Sequence, residues 1–225
     1  MNSLSDTRAD VPFVSMTGRT APVGLSSKRM IDIVLAIGGI VLLAPLLFVC
    51  VLLTWMSSRG PVIFRHKRVG FGGKEFNCLK FRTMVADAPE RLRQHLESDP
   101  AAASEWAATQ KLRNDPRVTI VGALLRKSSL DELPQLFNVL KGEMSIVGPR
   151  PVTEEELIKY GTSVGAYVAC RPGITGLWQV SGRSGTSYEE RVECDTFYAR
   201  KWSLYLDVKI LIVTIPTVLS SNDAY

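Results

Sequence analysis

The uncharged run Ile33–Met56 is the feature that most constrains how this 225-residue chain can fold. As a straight helix, its twenty-four residues would be about 36 Å long, enough for a hydrocarbon core of about 30 Å. The run is apolar on every side, so it requires lipid or protein all around it. Pro45 lies in its middle and predicts a bend, because proline removes a backbone hydrogen bond and presses against the preceding turn.

Basic residues flank both ends of this run. Lys28 and Arg29 precede it, and Arg59 is the first of several basic residues that follow it. The positive-inside rule therefore places both ends on the cytoplasmic side. A helix that enters the bilayer, breaks near Pro45 and leaves by the same face satisfies both observations. A single spanning helix is the commoner use of such a run, and the run alone leaves the two alternatives open.

The sequence divides into a polar leader at 1–27, expected to be disordered, the re-entrant membrane helix at 28–58, and a domain at 59–225 with its own core. The net charge of +5 favours anionic lipid or a phosphorylated ligand as a partner. No zinc-finger, RNP or basic-region pattern is present, so nucleic acid is not a predicted partner. Four widely spaced cysteines without a CxxC pair indicate reduced thiols rather than a metal site.

The pattern after the membrane run predicts an α+β, mostly helical fold. Alternating residues predict two short strands joined by a glycine-rich turn, and a third short strand later in the chain. Periodic segments predict several helices, of which the last is amphipathic and lies at the membrane interface. The predicted strands are 61–69, 75–84 and 144–147; the predicted helices are 87–98, 99 to about 113, one beginning at 154, 188–202 and 204–219; and 171–183 is predicted to be loop and strand.

The adjacent acids Asp131 and Glu132 are the first candidates for chemistry. They precede a helical stripe of leucines that Gly142 can end. Either Ser129 together with Glu132, or Asp131 itself, is expected to cap that helix, and both alternatives place the acids at the positive end of a helix dipole. Acids at helix starts are most often capping residues, so the pair alone does not establish a catalytic site.

Basic residues in several separate segments are the second candidates. Any one of them alone is more commonly part of a surface salt bridge. Arg150 is distinctive because prolines on both sides restrict its backbone, and a rigid arginine is a good fork for phosphate. With no histidine placed as a base, the acids and arginines together suit phosphoryl chemistry at a lipid surface. The basic candidates are Lys80, Arg82, Arg126, Arg150 and Arg183.

Five separated motifs in order resemble the bacterial sugar transferases, the monotopic polyprenyl-phosphate phosphoglycosyl transferases. The likeness covers roughly residues 28–216, and its overall character is most similar to the exopolysaccharide-initiating galactose-1-phosphate transferases. The chain departs from the family at Ala44-Pro45, where the family has Ser-Pro. The motifs are KRMID at 28–32, KFRTM at 80–84, LRKSSLDELPQL at 125–136, MSIVGPRP at 144–151, and RPGITG at 171–176 continuing to Gly182-Arg183, with Trp202-Ser and LDVK at 206–209 closing the likeness.

The resemblance implies transfer of a sugar 1-phosphate, galactose or glucose, from a UDP-sugar to undecaprenyl phosphate with release of UMP. It implies Asp131 as a nucleophile that becomes phosphorylated, and Glu132, with Asp131, as a ligand of Mg²⁺. The five basic candidates are expected to bind the substrate, and three of them, Arg126, Arg150 and Arg183, to converge near Asp131 on the diphosphate. It also implies a location at the cytoplasmic face of the bacterial inner membrane, with membrane lipid as a partner. Oligomeric state stays open, a homodimer being one alternative. A membrane-tethered scaffold and a nucleic-acid binder are the alternatives from other classes, and neither requires Asp131 or Mg²⁺.

Overall fold

The computed structural model describes residues 21–181 and 187–219. Within these ranges the chain is mostly helical with two small sheets, which confirms the predicted class. The helices are α1 Leu25–Leu42, α2 Ala44–Ser57, α3 Ala88–Ser98, α4 Pro100–Thr109, α5 Ile120–Lys127, α6 Gln135–Lys141, α7 Glu154–Ile158, α8 Val164–Val168, α9 Leu177–Ser181, α10 Tyr188–Lys201 and α11 Leu204–Leu219. The strands are β1 Ile63–Val69, β2 Glu75–Phe81, β3 Ser145–Val147 and β4 Gly173–Thr175.

The apolar run is broken into two helices, as Pro45 predicts. Among the described residues no single helix is long and apolar enough to cross a membrane, but α1 and α2 together are, and they are bent by 66°. The break lies at Leu43, and Pro45 falls in the first turn of α2, where its missing N–H removes no helical hydrogen bond. α1 begins at Leu25, so residues 21–27 of the predicted leader belong to the fold, and residues 1–20 lie outside the described part.

Both helices of the pair are apolar on the outside as well as on the inside. Ala36 on α1 and Cys50 on α2 are fully buried against the rest of the protein. On the opposite side, Val34, Val41 and Phe48 are 67%, 70% and 69% exposed. Exposed apolar side chains in such number on one helix pair are typical of a surface that binds protein or lipid.

The two sheets follow the predicted strands closely. β1 and β2 pair antiparallel, with Ile63 opposite Phe81 and Val69 opposite Glu75, and the chain turns between them at Phe71–Gly73. β3 pairs with β4 in parallel, which brings the segment before Arg150 beside a strand almost thirty residues later. β2 carries Phe76, Cys78 and Phe81 into the core, so the hairpin is fixed in place beside α2 and α6.

The polar helices α3 and α4 form where Asp87 and Asp99 precede prolines. Asp99 caps α4, because its carboxylate accepts from the backbone N–H groups of Ala101 and Ala102 at 2.9 and 3.2 Å. Asp87 makes no such capping bond and accepts from Arg91 instead. The prediction that this second helix runs to Arg113 was wrong: it ends at Thr109, because Gln110 adopts a left-handed conformation with φ of 55°.

The N-terminal half of α1 is tied to three other elements by polar contacts. Lys28 donates to Asp207 of α11 at 2.6 Å in a buried ion pair. Arg29 donates to two carbonyl groups in the last turn of α6, at Val139 and Leu140. Asp32 accepts from the side chain of Ser145 and the N–H of Ile146, both at 2.9 Å, on β3. The α1–α2 pair is therefore an integral part of the domain that follows it.

Candidate active site

The acids Asp131 and Glu132 lie in a 3-10 turn, Leu130–Glu132, ahead of α6. Both capping alternatives were wrong, because the helix begins only after Pro134 and neither Ser129 nor Asp131 caps it. Ser129 instead takes a left-handed conformation with φ of 55° and starts the turn. Gly142 ends α6 as predicted, with φ of 83°, a conformation that favours glycine.

Lys80 of β2 joins the two acids. Its Nζ donates to Oε1 of Glu132 at 2.6 Å and lies 3.7 Å from Oδ2 of Asp131. Its side chain is 28% exposed, and that of Asp131 is 12% exposed. An ion pair that is so far withdrawn from water is stronger than a surface pair, so Lys80 orients Glu132 and attracts Asp131.

Burial raises the pKa of Asp131 above its usual value; the charge of Glu132 adds to that, whereas Lys80 and Arg126 favour the ionised form. The carboxylate thus has little water around it but two cations close enough to act on it. A nucleophile in this setting has few hydrogen bonds to water to lose before it attacks.

Arg126 lies in the last turn of α5, a helix that packs against the turn carrying the Asp131–Glu132 dyad. Its Nε donates to Oγ1 of Thr83 at 2.9 Å. Burial lowers the pKa of Arg126, and the charge of Asp131 acts in the opposite direction. The structure therefore brings together Asp131, Glu132, Lys80 and Arg126 from three different segments.

Arg82 lies beside the end of α2, away from the surface. It is 9% exposed, and its guanidinium donates to the side chain and the carbonyl of Ser58, at 3.1 and 2.6 Å, and to the carbonyl of Pro61. Arg82 therefore holds the C-terminal end of α2 against β2. Its predicted contact with substrate stays a prediction.

Arg150 is exposed and its guanidinium lies 5.8 Å from the ring centre of Trp178 on α9. Arg191 of α10 lies over the same ring at 4.5 Å. The charge of Arg150 also acts on Cys78, which is two residues before Lys80 on β2. Its convergence on Asp131 stays a prediction, and Arg183 lies outside the described residues.

The donor set of the dyad suits Mg²⁺ in one particular way. Across 21–181 and 187–219, no group of three or more His, Cys, Asp or Glu side chains is placed to hold a metal ion. Asp131 and Glu132 offer two hard oxygen ligands, and Mg²⁺ is commonly bound by one or two carboxylates with substrate phosphates and water as its other ligands. The residues fit a magnesium ion that arrives with a phosphorylated substrate.

Comparison with known proteins decides the family. A family model described as bacterial sugar transferase matches residues 23–221, almost the whole of this chain.

The chain belongs to the bacterial sugar transferase family.

Relatives of this transferase carry related names. It is 49% identical over 209 residues to the exopolysaccharide production protein ExoY of Rhizobium meliloti (strain 1021), covering 93% of this chain and 92% of the relative. It is 48% identical over 200 residues to the undecaprenyl-phosphate galactose phosphotransferase of Salmonella typhimurium, covering 88% of this chain and 41% of the relative. It is 42% identical over 206 residues to the UDP-glucose:undecaprenyl-phosphate glucose-1-phosphate transferase of Caulobacter vibrioides, covering 88% of this chain and 72% of the relative. The chain is therefore a transferase enzyme, and its predicted membership of this family is confirmed.

Two residues that position the site of the transferase were not found from the sequence. Thr83 accepts from Arg126 through its side chain and from Thr119 through its carbonyl, at 2.9 and 3.0 Å. Gly122 lets α5 lie directly on this segment, because a Cβ atom there would be 2.0 Å from the carbonyl oxygen of Thr83. The KFRTM motif, in which Thr83 stands, could have pointed to Thr83 as a site residue, whereas nothing in the local sequence marks Gly122.

Proposed function

We propose that the transferase moves a sugar 1-phosphate from a UDP-sugar to undecaprenyl phosphate, releasing UMP, in the first membrane step of exopolysaccharide synthesis. The names of its relatives support these substrates, since they specify UDP-glucose, undecaprenyl phosphate and exopolysaccharide production. The observation that carries the chemistry is the withdrawn carboxylate of Asp131, which has Glu132, Lys80 and Arg126 around it.

In the first half of the reaction, an oxygen of Asp131 attacks the phosphorus that carries the sugar. The new bond joins the aspartate oxygen to phosphorus, the bond from phosphorus to the bridging oxygen breaks, and UMP leaves with the electron pair. Thr83 holds Arg126 through its Nε, and the terminal nitrogens of the guanidinium would bind the diphosphate. Splitting the transfer this way lets UMP leave before the lipid phosphate attacks, so the two substrates need not react directly with each other.

In the second half, an oxygen of undecaprenyl phosphate attacks the same phosphorus. The bond between phosphorus and Asp131 breaks, which restores the carboxylate and yields the lipid diphosphate sugar. Lys80 holds Glu132 in place through both steps and favours the ionised form of Asp131. Glu132 and Asp131 would hold Mg²⁺ with the phosphate oxygens, and the bound ion offsets the negative charge of the diphosphate as UMP departs.

We propose that the sugar is galactose. The relatives from Erwinia amylovora and Salmonella typhimurium, whose names specify galactose, are 52% and 48% identical to this chain. The relative from Caulobacter vibrioides, whose name specifies glucose, is 42% identical. UMP release from a panel of UDP-sugars, with undecaprenyl phosphate as acceptor, is expected to be fastest with UDP-galactose, and a faster reaction with UDP-glucose contradicts this choice.

We also propose that α1 and α2 enter the inner membrane from the cytoplasmic face and leave by it. The outward apolar side chains of the pair support contact with lipid, and the apolar residues of α11, with Tyr205 78% and Ile212 63% exposed, support contact at the interface. This places the dyad on the side where UDP-sugars are made.

The covalent step is tested with Asp131→Asn. This variant is expected to fold normally and to release no UMP, because an amide is a poor nucleophile toward phosphorus. Wild-type protein incubated with UDP-sugar alone is expected to gain the mass of one hexose phosphate on the peptide that contains Asp131. Asp87→Asn, which changes an exposed carboxylate on α3, is the matched control and is expected to retain activity. Near-normal UMP release by freshly prepared Asp131→Asn would contradict the covalent mechanism.

A further inference from the structure

An ion pair in the segment before α5 lies close to the active site without belonging to the dyad. The carboxylate of Asp115 accepts from Nε and Nη2 of Arg117 at 2.8 and 2.6 Å, and also from the backbone N–H of Arg117 at 3.0 Å. The two side chains are only 10% and 13% exposed. A bidentate pair withdrawn from water in this way fixes both side chains in one geometry.

The hairpin of α3 and α4 holds this pair from outside. The ring of Trp106 on α4 stacks on the guanidinium of Arg117, with 4.9 Å between the guanidinium carbon and the ring centre. Stacking of this kind leaves the in-plane hydrogen bonds of the guanidinium to Asp115 intact. The hairpin therefore reaches the body of the protein through a contact that also orders the ion pair.

The segment that carries the pair is laid directly against the KFRTM motif. Val85 donates to the carbonyl of Arg117 at 2.9 Å, and Thr119 donates to the carbonyl of Thr83 at 3.0 Å. Thr119 also caps α5, because its side chain accepts from the N–H of Gly122 at 2.9 Å. The start of α5, and hence the position of Arg126 on its last turn, is thus set by this segment.

The charges of the pair also act on Arg126 itself. Burial is the largest cause that lowers the pKa of Arg126; the charges of Asp131 and Asp115 raise it and the charge of Arg117 lowers it. The carboxylate of the active site and the carboxylate of the ion pair therefore both favour the charged form of Arg126. Without Asp115, the charge of Arg117 would repel Arg126 with only Asp131 to offset it.

We propose that Asp115 and Arg117, ordered by Trp106, are positioning residues that hold Arg126 for binding of the UDP-sugar diphosphate. The inference rests on the proposed function, in which Arg126 binds that diphosphate. It gives the α3–α4 hairpin a role in the affinity for the nucleotide sugar, and none in the affinity for the lipid phosphate.

The test measures kcat and KM for UDP-galactose and for undecaprenyl phosphate in Asp115→Asn, Arg117→Gln and the double variant, which leaves no unpaired charge. Asp115→Asn is expected to raise KM for the UDP-sugar about tenfold, the loss expected when one charge-assisted hydrogen bond is displaced. Its kcat and its KM for the lipid are expected to stay within about twofold of the wild-type values.

Trp106→Leu is also expected to raise KM for the UDP-sugar, and Trp106→Phe, which keeps an aromatic ring, is expected to raise it less. Arg93→Gln and Glu97→Gln, an exposed pair on α3, are the matched controls.

A double-mutant cycle with Arg126→Gln decides whether the effect passes through Arg126. Adding Asp115→Asn to Arg126→Gln is expected to change KM by less than about twofold further, because the group being positioned is already gone. Fully additive effects, or a rise in KM for the lipid instead of the UDP-sugar, would overturn the inference. Wild-type KM in Arg126→Gln would overturn it as well and would remove Arg126 from the proposed site, whereas the transfer reaction itself is judged only by Asp131→Asn.

Discussion

At the scale of single residues, the opposing influences on Asp131 are the feature from which its reactivity follows. Burial favours its protonated form, and Lys80 favours its ionised form. Attack on phosphorus requires the ionised form, so the rate is expected to rise with pH as Asp131 loses its proton. Because its pKa is raised, that rise is expected at a higher pH than an ordinary aspartate would give.

Lys80→Met is expected to move this acidic limb to still higher pH. Removal of the cation takes away an influence that lowers the pKa of Asp131, while burial remains. The measurement is the rate of UMP release against pH at saturating substrates and Mg²⁺. Lys67→Met on the neighbouring strand, where the lysine side chain is 75% exposed, is expected to leave the limb in place. A limb at the same pH in Lys80→Met and in wild type would mean that Lys80 does not act on the reacting carboxylate.

Residue types and motifs identified the dyad, Lys80 and Arg126 from the sequence, because each stands in a motif that carries the resemblance. The roles of Asp115 and Trp106 were not predicted. A bidentate pair within one turn and a ring stacked on it depend on the fold of the hairpin, and acids and tryptophans with no such role are common in polar helices. Arg82 shows the converse case, since a basic residue in a motif near the site is engaged by Ser58 and Pro61.

At the scale of elements, the site depends on how closely α5 lies on the segment after β2. Gly122 faces the backbone of Thr83, and a side chain there has no room, since the carbonyl oxygen would be 2.0 Å from its Cβ atom. The bond from Arg126 to Thr83 exists only because the helix can come this close.

Gly122→Ala is therefore expected to lower stability by about 1–3 kcal/mol, the usual cost of forcing an extra group into a packed contact. It is also expected to reduce kcat/KM for the UDP-sugar, because α5 must move and Arg126 moves with it. Thermal unfolding and steady-state kinetics measure the two effects. Gly38→Ala on α1, where the added Cβ meets nothing within 4 Å, is the matched control. Wild-type kinetics in Gly122→Ala would show that the position of α5 is not critical to the site.

Elements with strong local signals were predicted, and elements without them were not. The break near Pro45, the β1–β2 hairpin and the helix ended by Gly142 each carry a proline, a glycine turn or a clear period. The five-residue helices α8 and α9 carry none of these, and they owe their existence to buried residues such as Tyr167 and Trp178 that pack against distant parts of the chain. The predicted start of α6 was wrong for a related reason: the sequence offers two capping residues, and neither of them caps the helix.

At the scale of the whole molecule, both ends of the α1–α2 helix pair are bound to the same domain. The start of α1 is tied to α6, β3 and α11, while the end of α2 is tied through Ser58 to Arg82. Lys28 was predicted to be a basic flank of the apolar run, but its charge is paired with Asp207 inside the protein. The proposed topology thus does not depend mainly on the positive-inside rule, because a chain that held these contacts could not place the two ends on opposite sides of a bilayer.

We therefore expect residues before α1 to be on the cytoplasmic side together with the catalytic domain. The test uses Ser26→Cys, just inside the exposed start of α1, and Ser98→Cys, on the exposed end of α3, in a background with Cys194→Ser, because the other three native cysteines are buried. Both introduced thiols are expected to react with an impermeant reagent only after the cells are opened. Reaction of Ser26→Cys in intact spheroplasts, with Ser98→Cys still protected, would establish a full span and contradict the re-entrant pair. Pro45→Ala is expected to straighten the break and to shift some molecules toward that spanning form, at the expense of the ties that α1 makes to α6 and α11.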